Sequence, residues 1–153
     1  MKQLIDFYQV SLKLILKNDQ GQVLAMKAAE RGSMAGFYDL PGGRIHVDEF
    51  EAPFEQILRR EAGEEIGEVK FEVGAKPVVV SRHLISARVA HTAEDVHVIY
   101  VFYLGRYDSG EIAINDEHLN FEWLDLGQIN LAKYFTSGML IGLRDYLAQA
   151  KEN

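Results

Sequence analysis

The chain has no cysteine, only three prolines and a single tryptophan among its 153 residues. Without cysteine there are no disulfides, no thiolate metal sites and no cysteine nucleophile, and the composition suits a reducing compartment. No apolar run approaches the length of a membrane span, and Met1-Lys2-Gln3-Leu4-Ile5-Asp6 lacks the apolar core of a signal peptide. These absences point to the cytoplasm and away from a membrane partner. Positive charge is also scarce: the formal net charge of −7 disfavours nonspecific nucleic-acid or membrane binding, since both surfaces repel an acidic protein. A phosphate-bearing ligand stays compatible with that charge if metal ions neutralise it. The sequence contains no G-x-x-x-x-G-K-[ST] phosphate loop and no G-x-G-x-x-G. Ser81 and Ser86 lack a glycine elbow, and the five histidines (46, 83, 91, 97 and 118) show no metal spacing.

What remains is an ordinary globular composition, 48% hydrophobic and 25% charged, in a length that suits one domain over residues 1–153. Val10, Leu12, Leu14 and Leu16 alternate with Ser11, Lys13 and Lys17 and predict a strand. Asn18-Asp19-Gln20-Gly21 then turns the chain, and Val23 to Met26 returns as the second arm of a hairpin. Residues 29–38, with Gly32 and Gly36, read as a loop leading to Gly42-Gly43. A helix is expected from near Pro53, a residue suited to the first helical position, to a cap at Gly67. Strand segments are expected over 69–73, 78–80 and 121–124. The run 96–104 is apolar on both faces and reads as the central strand. Leu140, Leu143 and Leu147 mark a final amphipathic helix. Strands on both sides of one helix, closed by a second, predict an α/β class with a sandwich around a mixed sheet. An N-terminal edge strand would allow a homodimer as well as a monomer.

The informative segment is Arg60-Glu61-Ala62-Gly63-Glu64-Glu65-Ile66-Gly67. Glu61, Glu64 and Glu65 stand at i, i+3 and i+4, so a helix brings all three together. Like charges at that spacing cost an isolated helix roughly 0.2–0.5 kcal/mol per pair. Phe54, Ile57, Leu58, Ala62 and Ile66 form an apolar stripe, and Glu61 and Glu65 fall inside it. Carboxylates on an inward face are costly unless paired or bound to a cation. The plainer alternative is a solvated acidic helix neutralised by Arg59 and Arg60.

Together with Tyr38-Asp39-Leu40-Pro41-Gly42-Gly43, this segment resembles the signature of the Nudix hydrolases (MutT-like), G-x5-E-x7-R-E-U-x-E-E-x-G-U, where U is apolar. Gly43 is followed after five residues by Glu49, and 60–67 match position by position. Two departures stand out. The segment 50–59 is three residues longer than the pattern allows, which bears on Glu49, and the final apolar position is Glu68.

The resemblance implies a Nudix-type α/β/α sandwich around a mixed sheet. It also implies a Mg²⁺- or Mn²⁺-dependent hydrolase that cleaves a diphosphate linkage in a nucleoside diphosphate derivative. Glu61 and Glu65 would be principal metal ligands and Glu64 a further ligand or water activator, with the Gly42 carbonyl completing the shell and Arg60 bracing the acids. The corresponding glutamate, Glu49 here, would brace the motif against that arginine. Glu117 is the first candidate for a distal acid, with Glu94 and Asp95 as competitors. Tyr38 is a candidate for stacking on a base, next to Phe37, and Arg44 and Arg82 are candidates for substrate contact, next to Arg88. A catalytically silent ligand sensor on the same fold is the alternative, and the intact acid cluster weighs against it. A related isoprenoid diphosphate isomerase would need a cysteine that this chain does not have.

Overall fold

The computed structural model describes residues 1–152. Its eight strands form one sheet: β1 (Tyr8–Lys17), β2 (Val23–Ala28), β3 (Tyr38–Asp39), β4 (Gly42–Arg44), β5 (Lys70–Val73), β6 (Val79–Ile85), β7 (Val96–Ser109) and β8 (His118–Leu124). Helices are α1 (Phe54–Ile66), α2 (Ala87–Ala90), α3 (Leu131–Tyr134) and α4 (Ser137–Glu152), with a single 3-10 turn at Val47–Glu49. The sheet path runs β3-β2-β1-β7-β5; β4 adds to β1, β6 to β7 and β8 to β2. The β1–β7 pair is parallel through ten residues, Tyr8↔His97 to Lys17↔Arg106, and every other pair is antiparallel, so the sheet is mixed.

Two apolar layers lie on opposite faces of this sheet. Leu12, Leu14 and Leu16 of β1 and Leu24 and Met26 of β2 meet Ile57, Leu58, Ala62 and Ile66 of α1. Ile15, Ala25, Val98 and Phe102 meet Phe135 together with Met139, Leu143 and Tyr146 of α4. The α/β sandwich predicted from sequence is present, with α1 on one face and α3–α4 on the other.

Several local expectations change. β1 is a central strand, flanked by β7 on one side and by β2 and β4 on the other, so it offers no free edge for dimerisation. Two of its polar residues do not face solvent: Ser11 and Lys13 are buried alongside the leucines. The glycine pair sits in a short strand rather than a turn. The segment 81–95 holds most of β6 and all of α2, and β8 starts three residues before the predicted 121. Pro53 precedes α1 as its N-cap, so helical geometry begins at Phe54.

Candidate active site

Glycine is required at 42 and 43 for two different close approaches. Gly42 has φ +140°, and a Cβ there would stand 1.9 Å from the Leu12 carbonyl oxygen. Gly43 has an ordinary backbone, but its Cβ would stand 2.4 Å from the Glu61 carboxylate. The pair lets β4 lie flat on β1 and lets α1 set a carboxylate directly on the strand.

The acids of α1 occupy graded environments. Glu64 is the open one, with 61% of its side chain exposed against 13% for Glu61 and 7% for Glu65. Glu65 Oε1 accepts the Gly42 amide N–H at 2.7 Å. Burial pushes the Glu65 carboxyl up to about 8, reinforced by the carboxylates of Asp39 and Glu61 and opposed by Lys13 and the Gly42 amide. Arg60 ties the cluster together. Its guanidinium donates to both oxygens of Glu49 (2.7 and 2.8 Å) and to Glu61 (2.7 Å), and lies 3.5 Å from Glu64. The hydrogen bond to Glu49 is the main cause of the raised arginine pKa, and Glu49 is lowered in turn. Glu49 therefore reaches Arg60 despite the three extra residues. The 3-10 turn carries it there, anchored by the His46 amide donating to Glu49 Oε1 at 2.9 Å.

These residues open onto a cleft of about 1110 Å³ between β4, α1, the 31–34 loop, α2 and the start of β8. Glu61, Glu64 and Glu65 line one side, and Arg31 and Arg44 also line it. Glu117 and His118 lie at the cleft as well. A smaller recess of about 150 Å³, sharing Asp39, Gly43 and Arg44 with the main cleft, reaches Ser11, Lys13 and Tyr100.

Beneath it lies a polar layer that sequence reasoning missed. Lys13 Nζ pairs with Asp39 Oδ1 at 3.0 Å and lies over the Tyr100 ring at 5.3 Å. Burial opposes the lysine charge, but Asp39, Tyr100 and Glu65 outweigh it and raise its pKa. His83 stacks on Tyr100 at 4.9 Å and reaches Ser137 and Ser33 hydroxyls, each at 3.0 Å. Burial, helped by Lys13, pushes His83 down to about 4. The sequence signal was Lys13 beside Ser11 in a strand whose alternation assigned both to solvent.

Four candidate residues do not line the cleft. Tyr38 donates its hydroxyl to Glu122 and packs 5.3 Å from Tyr134, which occupies both its polar and its aromatic surfaces. Arg82 lies between the inward-facing Ser81 and His83, so the two-residue period of β6 turns it outward. Glu94 and Asp95 line a separate depression with Asp6 and His97.

The donor chemistry of the cluster fits a hard divalent cation. Three carboxylates share a helix face beside the cleft, and burial raises the pKa of the innermost, Glu65, a cost that a bound cation would offset. Among the described residues no three acid or imidazole side chains form a ready-made cage, since Arg60 and the Gly42 amide hold Glu61 and Glu65.

Comparison with known proteins agrees with this geometry. The NUDIX domain model matches residues 7–143. The chain is 31% identical over 121 residues to nucleoside triphosphatase NudI of Escherichia fergusonii, covering 76% of this chain and 84% of that protein. The MutT protein of Methanosarcina mazei Go1 superposes with a TM-score of 0.72 at 22% identity, covering 98% of this chain and 97% of that one. A possible asymmetric diadenosine tetraphosphate hydrolase from Jonesia denitrificans gives 0.70 at 19% identity, covering 95% and 96%. Among the described residues no helix is long and apolar enough to cross a membrane. With the family model spanning most of its length and the arginine–carboxylate cluster in place, the chain belongs to the MutT-like Nudix hydrolases and is a pyrophosphohydrolase.

Proposed function

We propose that this pyrophosphohydrolase cleaves a diphosphate linkage in a nucleoside diphosphate derivative, with Mg²⁺ or Mn²⁺ held by Glu61 and Glu65 beside Gly42, and with Glu64 as a further ligand or as the group that activates water. A nucleoside triphosphate, the substrate class in the name of the 31%-identical relative, is one such derivative, its attached group being phosphate. The observation that carries the reading is the buried Glu65, fixed by the Gly42 amide and lacking a full counter-charge at the wall of an open cleft.

When bound, the divalent ion neutralises phosphate charge and lowers the pKa of the attacking water. The chain's own residues supply position. Arg60, held by Glu49, fixes Glu61 against Gly43. Glu64 is open to water and only loosely held by Arg60, so its carboxylate is placed to take the proton of a water attacking phosphorus as the bridging P–O bond breaks. Arg44, hydrogen-bonded to Gln9 at 2.8 Å, and Arg31 stand at the cleft to bind phosphate oxygens. Glu117 lies at the cleft margin as a second acid.

The test is product analysis by ion-exchange chromatography. Nucleoside triphosphates, sugar nucleotides, ADP-ribose and dinucleoside polyphosphates are each incubated with Mg²⁺, Mn²⁺ or EDTA, using wild type and Glu65→Gln. Metal-dependent release of a monophosphate ester, lost in the variant, is expected. Ligand-induced thermal stabilisation without turnover on any substrate would replace the reading with the silent sensor.

A further inference from the structure

One buried group at the cleft has no task in this reading, the imidazole of His118. It is 8% exposed at the first residue of β8. Its Nδ1 lies 3.1 Å from Asn115 Oδ1. The same Oδ1 accepts the Glu117 backbone N–H at 3.2 Å, which establishes that this end of the amide is the oxygen. An amide oxygen only accepts, so Nδ1 carries the ring proton and Nε2 presents a lone pair. That lone pair faces Glu65 Oε2 at 3.8 Å, beyond hydrogen-bond reach, with both side chains less than a tenth exposed. Both residues line the cleft, and among the described residues neither of these two atoms is hydrogen-bonded, so a cation entering from the cleft can take both.

We propose that His118 Nε2 is a nitrogen ligand of the divalent cation bound by Glu65, adding an imidazole to an otherwise all-oxygen site. The inference rests on the carboxylate–metal reading above. Two ligand bonds of about 2.1 Å reach across the 3.8 Å gap, and a small side-chain adjustment brings the pair to an octahedral angle. A metal-bound imidazole usually donates its other N–H to a carbonyl or carboxylate, and Asn115 supplies that acceptor. The segment 113–115 is itself tied to α1: the Ala113 and Asn115 amides donate to the carbonyls of Ile66 and Glu65. The imidazole is thus held in register with the carboxylate by backbone hydrogen bonds. A nitrogen donor favours Mn²⁺ or Co²⁺ over Mg²⁺ more than carboxylates alone do.

The full chain loaded with Mn²⁺ is examined by pulsed EPR, which detects a directly bound ¹⁴N. Coupling is expected in wild type and in His46→Gln, whose imidazole is the other one at the cleft and lies 4.0 Å from Glu61. Coupling is expected to vanish in His118→Gln, with the Mn²⁺ dissociation constant rising about tenfold or more. Melting in EDTA checks that the variant folds; if it does not, the wild-type and His46→Gln spectra decide alone. Mn²⁺ bound without nitrogen coupling, but released by Glu65→Gln, overturns the imidazole ligand and leaves the carboxylate site standing. Coupling lost in His46→Gln overturns it in favour of that histidine. No Mn²⁺ affinity in wild type overturns both readings together.

Discussion

A single methyl group added at position 43 or 42 separates site geometry from fold. In Gly43→Ala the three atoms nearest the new Cβ all belong to the far end of the Glu61 side chain, the closest at 2.4 Å, about 1 Å short of ordinary contact. The backbone at 43 suits an L-residue, and replacing glycine at a compatible position stabilises by about 0.4–1 kcal/mol through the unfolded chain. Glu61 can swing away, loosening its 2.7 Å pair with Arg60. Stability should therefore stay within about 1 kcal/mol of wild type, while a displacement of ~1 Å at the reacting site lowers kcat/KM by about 100-fold. In Gly42→Ala the same methyl would stand 1.9 Å from the Leu12 carbonyl on a central strand, at φ +140°. Strain and overpacking there cost about 3 kcal/mol or more, or roughly 6–12 °C in Tm for a chain of this size. Urea unfolding and steady-state hydrolysis, run on both variants, give the four numbers needed. Wild-type turnover in Gly43→Ala would show that the seat of Glu61 does not matter. A Gly43→Ala protein as unstable as Gly42→Ala would refute the assignment of its clash to a movable side chain.

Three other outcomes are expected. Glu65→Gln should lose turnover by at least about 100-fold yet match wild type in EDTA melts near pH 7, because a carboxyl with its pKa near 8 is mostly protonated there and glutamine resembles it; a large loss of stability would show that the ionised form is native. For His83, burial lowers the folded pKa to about 4, so between the unfolded value near 6.5 and 4 the unfolded chain binds the extra proton. Its contribution is present above 6.5 and lost as pH falls, by at most ~1.4 kcal/mol per pH unit. NMR titration of the imidazole should show no protonation above about pH 5, and a midpoint near 6.5 would refute the buried, neutral assignment. For the Lys13–Asp39 pair, Asp39→Ala should destabilise by about 3–5 kcal/mol by stranding a buried ammonium, with Lys13→Met/Asp39→Leu costing less than that single change. A double variant worse than Asp39→Ala would overturn this account.

The acid cluster was legible in sequence because helix spacing converts i, i+3 and i+4 directly into one face, and α1 obeys it: Glu65 is buried, Glu61 nearly so and Glu64 open. The two apolar layers followed equally from periodicity. What was hidden depends on contacts distant in sequence. Alternation in β1 could not tell solvent from a buried layer of paired charge, since Lys13 is neutralised by Asp39, 26 residues away. Tyr38 reads as a free aromatic until Glu122, 84 residues on, claims its hydroxyl. The edge assigned to the N-terminal strand failed because β7, the strand with which it pairs in parallel, begins at residue 96.

A chain of net charge −7 that hydrolyses an anionic substrate must manage its own repulsion, and the cleft does so by separating roles. Arg60 is spent on its own acids: bonded to Glu49 and Glu61 and close to Glu64, it holds the carboxylates within one helix face against mutual repulsion. Lys13 is likewise committed, buried against Asp39 and unable to leave without stranding it. Arg31 and Arg44 are exposed cleft residues, and among the described residues the hydrogen bond of Arg44 goes to the neutral Gln9. On the proposed reading, substrate phosphates would meet guanidinium groups that make no salt bridge among the described residues, while the acidic wall would keep its geometry for a cation. It follows that Arg44→Ala should raise KM with little change in Mn²⁺ affinity, whereas Arg60→Ala, which frees the acids to repel one another, should weaken metal binding and turnover together. Calorimetric titration with Mn²⁺ alone separates the two, and weakened binding in Arg44→Ala would refute the division of labour.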